Sequence, residues 1–102
     1  MTLIYSPFPS LDAARTAASA LLHEKLVACC NIIPSVESHY WWEGKLTQST
    51  EVILLCKTTI GQSSALTARL EALHPYDCPA ILTLDVAANP LFAKWVEESV
   101  NL

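Results

Sequence analysis

The stretches "VACCNII" at residues 27–33 and "VILLC" at residues 52–56 place apolar side chains at odd and even positions alike. Successive side chains of a β-strand point to opposite faces, and an antiparallel sheet with one wet face alternates apolar with polar residues. Strands built from these stretches must therefore be kept dry on both sides. "SHYWWEGK" (Ser38 to Lys45) makes the same demand, because the adjacent indoles of Trp41 and Trp42 cannot enter one core from one strand.

The rest of the chain predicts a simple order of elements. "TLIYS" (Thr2 to Ser6), β-branched and aromatic and closed by "PFP", reads as a first strand. Ser10 is an N-cap candidate, and Leu11, Ala14, Ala18, Leu21, Leu22 and Leu26 fall at helical spacing. They predict a helix over 11–26, with Asp12 in its first turn and Lys25 in its last to suit the dipole. Residues 27–42 form a long extended stretch in which Pro34, unable to donate to a ladder, marks a bulge, bend or edge. Glu43-Gly44-Lys45 predicts a hairpin turn, and residues 46–58 return antiparallel. Leu66, Leu70 and Leu73 predict a second helix over 62–73, started at Ser63 and Ser64 and broken by "HPYDCP". "AILTLDV" (80–86) is a fourth strand, and Asn89 and Pro90 open a terminal helix as N-cap and first helical residue.

The order β-α-β-β-α-β plus a last helix is that of an α+β, ferredoxin-like sandwich: one antiparallel sheet of four strands with two helices on one face, in a single domain over 1–102. Two helices cover one face, and the terminal helix is too short for the other. An identical subunit is the simplest cover for what remains. Composition agrees, with 52% hydrophobic and only 16% charged residues in a chain that needs a wettable surface. Burying about 800 Å² per partner at about 25 cal/mol per Å² yields of order 20 kcal/mol, against association costs of about 4 to 15. The expectation is an obligate homo-oligomer.

Several classes are disfavoured. No apolar run reaches membrane-spanning length, and the N-terminus lacks a basic segment followed by an apolar one, so neither a membrane nor export is indicated and the cytoplasm is the default. The six Lys and Arg are scattered in a chain of net charge −4, which offers nucleic acid no basic stripe. Cys29, Cys30, Cys56 and Cys78 form no CxxC pair and read as reduced, small apolar residues. A cysteine hydrolase using Cys78 with His74 lacks a third, orienting group, and no GxSxG, HExxH or phosphate-loop motif occurs.

"EKLVACCNIIPSVESHYWWEGKL" (24–46), "EVILLCKT" (51–58) and "LHPYDCPAIL" (73–82), closed by "NPLFAKWV", resemble the CutA divalent-cation tolerance family over nearly the whole chain. The resemblance implies a stable homotrimer of ferredoxin-like subunits with interlocking hairpins, related in architecture to PII signalling proteins. It also implies Cu²⁺ or another divalent cation as ligand, and no organic cofactor. In the family, copper is attributed to the histidine of "HPY", a cysteine at the end of the first strand and sometimes a histidine before the motif. Here His74 matches, while the other two positions hold Ser6 and Leu73.

Tyr40, Trp42, Glu43, Lys57, His74 and Tyr76 match residues characteristic of the family, which the resemblance places around a cleft between subunits. Each has a plainer reading as well. Tyr and Trp are preferred interface anchors, His74 can cap the helix before it, and Lys57 can pair with an acidic neighbour or await an anion. His23 reads as a surface residue and His39 as the rim of an interface. Two functions follow: a non-catalytic trimeric binding protein for divalent-cation tolerance, or a PII-like signalling trimer that holds a small anionic metabolite in that cleft.

Overall fold

Strong β-formers at the start of the chain and just before its last helix, with two apolar central stretches, make a four-stranded sheet. The structure is a computed structural model that describes residues 1–100. In chain order the elements are β1 (Thr2–Phe8), α1 (Leu11–His23), β2 (Cys29–Trp42), β3 (Lys45–Thr58), a 3-10 turn (Ile60–Gln62), α2 (Ser63–Leu73), β4 (Leu82–Asp85) and α3 (Pro90–Val100). The sheet runs β2-β3-β1-β4 with every neighbouring pair antiparallel. This is the ferredoxin-like order expected from the sequence. No helix among the described residues is long and apolar enough to cross a membrane.

Element ends depart from expectation for local reasons. β1 continues beyond Ser6 through Pro7 to Phe8. Its pairing with β4 stops at Tyr5, so Pro7 has no ladder to break on that side. The N–H and C=O of one strand residue point the same way. The Pro7 carbonyl is taken by His74 at 2.9 Å, so its ring nitrogen also faces away from β3. α1 begins as expected, with Ser10 Oγ accepting from the Ala13 N–H at 3.2 Å. It ends at His23, three residues early. Lys25, expected in the last helical turn, instead sits beyond it in a left-handed conformation at φ 59°. The Lys25 N–H then reaches the Leu22 carbonyl and the Leu26 N–H the Leu21 carbonyl, both at 3.1 Å. These two bonds form a Schellman end without the usual glycine. β4 is four residues long rather than seven.

Pro34 marks both an edge strand and a bulge. The register of β2 on β3 shifts between Ile33 and Val36, so that Pro34 and Ser35 stand where the partner strand has Val52 alone. Glu43 and Gly44, at φ 49° and 76°, form the two-residue turn at the hairpin tip. Both residues need positive φ there, which matches the twist of the strands. Fourteen residues per strand at about 3.3 Å each account for the long axis of the molecule, 44 Å against 24 and 22.

The helices cover one face. Ile4, Phe8, Val52, Leu54 and Cys56 meet Ala14, Ala17, Leu21, Leu66 and Leu70 in the core. Buried hydroxyls there are all spent: Ser6 donates to the Ala80 carbonyl at 2.7 Å and Thr58 to that of Leu26 at 2.8 Å. On the other face Leu3, Tyr5, Ile33, Ile53, Leu55, Leu82 and Leu84 share register positions across the four strands. α3 meets this face at Lys57, whose ammonium lies 5.6 Å from the centre of the Phe92 ring. Ile53 is buried at 1% exposure and Leu3, Tyr5 and Leu55 are partly buried, but Ile33, Leu82 and Leu84 are left 40, 54 and 47% exposed. Near its tip the hairpin presents apolar side chains on both sides. Trp41 and its partner Leu46 project on one, at 73 and 70% exposure, and Tyr40 and Trp42 on the other.

Candidate functional site

A proline disfavours helical backbone in the residue before it. His74, followed by Pro75, is accordingly extended at φ −75°, ψ 134°, and ends α2. The chain turns back over β1 there. The His74 ring stacks on Phe8, centre to centre 4.1 Å, with Tyr76 tilted 5.1 Å away. The Tyr76 N–H donates to His74 Nδ1 at 3.2 Å, so the ring proton sits on Nε2 and donates to the Pro7 carbonyl at 2.9 Å. Both ring nitrogens are used, and the side chain ties β1 to the loop instead of capping α2. Burial holds the imidazole pKa below its ordinary value, partly offset by the Pro7 hydrogen bond and by Glu51.

Tyr76 reaches across to the hairpin. Its hydroxyl donates to Glu51 Oε2 at 2.7 Å. Burial and that bond to the carboxylate both push the phenol pKa upward, so it remains a donor. Tyr40 and Trp42 lie on the same side of the hairpin as Glu51, and the Tyr40 hydroxyl is 3.1 Å from Ser49 Oγ. Between this side and the loop is a cavity of about 490 Å³, walled by Tyr40, Trp42 and Glu51 from the hairpin, by Tyr76, Asp77 and Cys78 from the loop, and by Pro7. Another cavity, of about 500 Å³, lies beside α3 near Met1 and Thr59; among the described residues its lining carries no imidazole or thiol.

Within one chain, Tyr40, Trp42 and Tyr76 wall this cavity, and His74 lies behind it against Tyr76. Glu43 sits in the turn just beyond the cavity wall, and Lys57 lies at the far end of β3 over Phe92. Glu51 was not singled out in the sequence, although it is the link between loop and hairpin. The only signal was a lone carboxylate at the head of an apolar strand. His23 is exposed, with Nδ1 2.8 Å from the Ser19 carbonyl, and His39 lies 2.8 Å from Glu37 on the opposite side of the hairpin from the cavity. Cys30 and Cys56 are cross-strand partners with sulfurs 3.7 Å apart, and the hydrogen bond with Cys30, together with burial, raises the Cys56 thiol pKa.

The donor set of one chain does not fit a copper centre. His74 offers no free lone pair in this arrangement, Ser6 replaces a thiol and has given its proton to Ala80, and Leu73 has no donor atom. Among the described residues no three of His, Cys, Asp and Glu converge as ligands.

The fold and this cleft define a class: a ferredoxin-like α+β subunit with an open apolar sheet face and an aromatic, carboxylate-bearing cleft beside an "HPY" loop. Residues 2–99 match the family described as CutA1 divalent ion tolerance protein, and the chain belongs to that family. It is 42% identical over 94 residues to the divalent-cation tolerance protein CutA of Thermus thermophilus, covering 91% of each chain. The chloroplastic protein CutA 1 of Oryza sativa is 37% identical over 100 residues; the match covers 97% of this chain but 56% of that longer one. The crystal structure of divalent ion tolerance protein CutA1 from Ehrlichia chaffeensis superimposes with a TM-score of 0.95 at 37% identity, over 99% of this chain and 95% of that one.

Proposed function

We propose that this protein serves divalent-cation tolerance as a non-catalytic homotrimer of the PII-like kind, working in the cytoplasm. The observation that carries the reading is the set of exposed apolar side chains on one face of the sheet, continuous with a hairpin whose tip exposes Trp41 and Leu46 on one side and Tyr40 and Trp42 on the other. Three copies that lay their hairpins on one another's open faces remove this surface from water, and the names of the relatives supply the role in tolerance. The non-catalytic part is supported by the state of His74. A thiol nucleophile needs a base within hydrogen-bond reach, and both nitrogens of this imidazole are spent on Pro7 and Tyr76 rather than on Cys78.

The poor donor set of one chain supports a cation held by groups from more than one subunit, or by the surface, in preference to a preformed centre at His74. Light scattering tests the assembly: the expected mass at micromolar concentration is three times the 11.2 kDa of one chain, and a mass of one chain refutes it. Calorimetric titration with Cu²⁺ tests the site. We expect the affinity to survive His74→Ala, and an affinity that falls with the imidazole places the cation at His74 after all.

A further inference from the structure

Cys30 and Cys56 face each other across β2 and β3, with sulfurs 3.7 Å apart and no bond between them. Directly opposed residues of an antiparallel pair have Cα atoms about 4.5 or 5.5 Å apart. Both values fall within the about 4.4 to 6.8 Å that a disulfide spans. The backbone is therefore already placed for an S–S bond, and closing the gap to about 2 Å asks for rotation of the two side chains. The pair lies on the side of the sheet that α1 and α2 cover: Cys56 belongs to the core and Cys30 packs against it. Its surroundings come from one chain and do not draw on the open face.

The two thiols are not equivalent. Cys56 is fully buried and Cys30 partly exposed. Their hydrogen bond lowers the pKa of Cys30, against the opposing effect of burial, and raises that of Cys56. The reachable sulfur is thus also the one that ionises first, and the thiolate is the form that attacks a disulfide. Cys29, next in the chain, projects to the other face opposite Lys57 and cannot take the place of Cys30. A structural zinc ion would need about four ligands, and among the described residues no three His, Cys, Asp or Glu side chains gather.

We propose that Cys30 and Cys56 are a reversible redox pair, oxidised by a low-molecular-weight disulfide to a bond that staples the edge strand β2 to β3. The Cys30 thiolate attacks one sulfur of the small disulfide, whose other half leaves as a thiolate and takes up the Cys56 proton. The Cys56 sulfur then attacks Cys30 Sγ and expels the second half, which takes up the proton that Cys30 gave to water. The protein loses two electrons and two protons, and the small disulfide becomes two thiols. In a compartment kept reducing such a bond is transient, and it records the thiol poise.

The test is incubation of the whole, folded protein with oxidised glutathione, then acid quenching, blocking of the remaining thiols with N-ethylmaleimide in denaturant, and digestion with trypsin. Cleavage after Lys25, Lys45 and Lys57 separates Cys56 from Cys29 and Cys30. The expected product is the peptide of residues 26–45 joined to that of residues 46–57, with mass-spectrometric fragmentation placing the bond at Cys30 and dithiothreitol releasing it. Cys30→Ala should abolish the joined peptide, and Cys29→Ala should leave its yield unchanged. Cys56→Ala should halt the reaction at a glutathione adduct on Cys30. The exposed Cys78, modified in the same sample, shows that the oxidant was active. A bond at Cys29 in place of Cys30, a joined peptide that comes only from covalent dimers, or no joined peptide once Cys78 is modified would each overturn the proposal. All three are read on the unsubstituted protein, so none depends on a variant that folds.

Discussion

Ile4, Phe8, Leu54 and Cys56, on one side of the sheet, are fully buried beneath α1 and α2, while Leu3 and Leu55 are half-covered and Ile33, Leu82 and Leu84 exposed on the other. The side chains are alike in kind; only their cover differs. Burial of the first set is complete within one chain and defines the fold, because that is where its helices lie. The second set has the same tendency to leave water and no internal means to do so. One β-layer thus encodes a tertiary structure on one side and a quaternary one on the other.

Substitutions can break this contrast. Phe8→Ala removes a fully buried ring and the surface on which His74 stacks. A loss of about 3–5 kcal/mol is expected in urea unfolding. Leu84→Asp on the open face should leave the far-ultraviolet circular dichroism of a folded chain while weakening association by about 2–3 kcal/mol per chain. Its readout is a light-scattering mass that falls toward one chain on dilution, and an unchanged mass would mean that this face is not the interface. Tyr76→Phe cuts the bond between loop and hairpin; about 1–2 kcal/mol of stability should be lost, with the mass unaltered.

The smallest effect is one of pH. The native pKa of His74 lies below the ordinary 6.5, so the unfolded chain takes up the proton first. Stability is therefore fully present above 6.5 and declines as the pH falls from there toward the depressed native value. Unfolding measured through this window should show a shallower decline in His74→Gln than in the unsubstituted protein.

Much of this was legible in the sequence. Pro34 announced the bulge and the edge strand, "EGK" the turn, Ser10 the start of α1, and the doubly apolar strands the open face. Element ends were harder to read where the backbone did something its residues do not advertise. Lys25 adopts a left-handed conformation that usually signals itself by glycine. Pro7 stays inside a strand because β4 stops short of it. The site was half legible. Aromatic residues and His74 stand out by type, but the partnership of Glu51 with Tyr76 joins positions 25 apart in the chain and exists only once the loop has folded over β1. Lys57 looked like part of the same group and lies elsewhere because strand length, not residue type, sets its distance.

The extra residue at Pro34–Ser35 fixes which way the side chains of β2 face in the hairpin's far half. Because side chains alternate, pairing Pro34 and Ser35 as two ordinary ladder residues would exchange the two sides of β2 beyond them. Losing the bulge while keeping both residues would turn Trp41 toward the Tyr76 loop and send Tyr40 and Trp42 to the opposite surface, whereas deleting one of the two would leave all three where they are. A change too small to alter the topology could thus rewrite what the cleft is able to recognise.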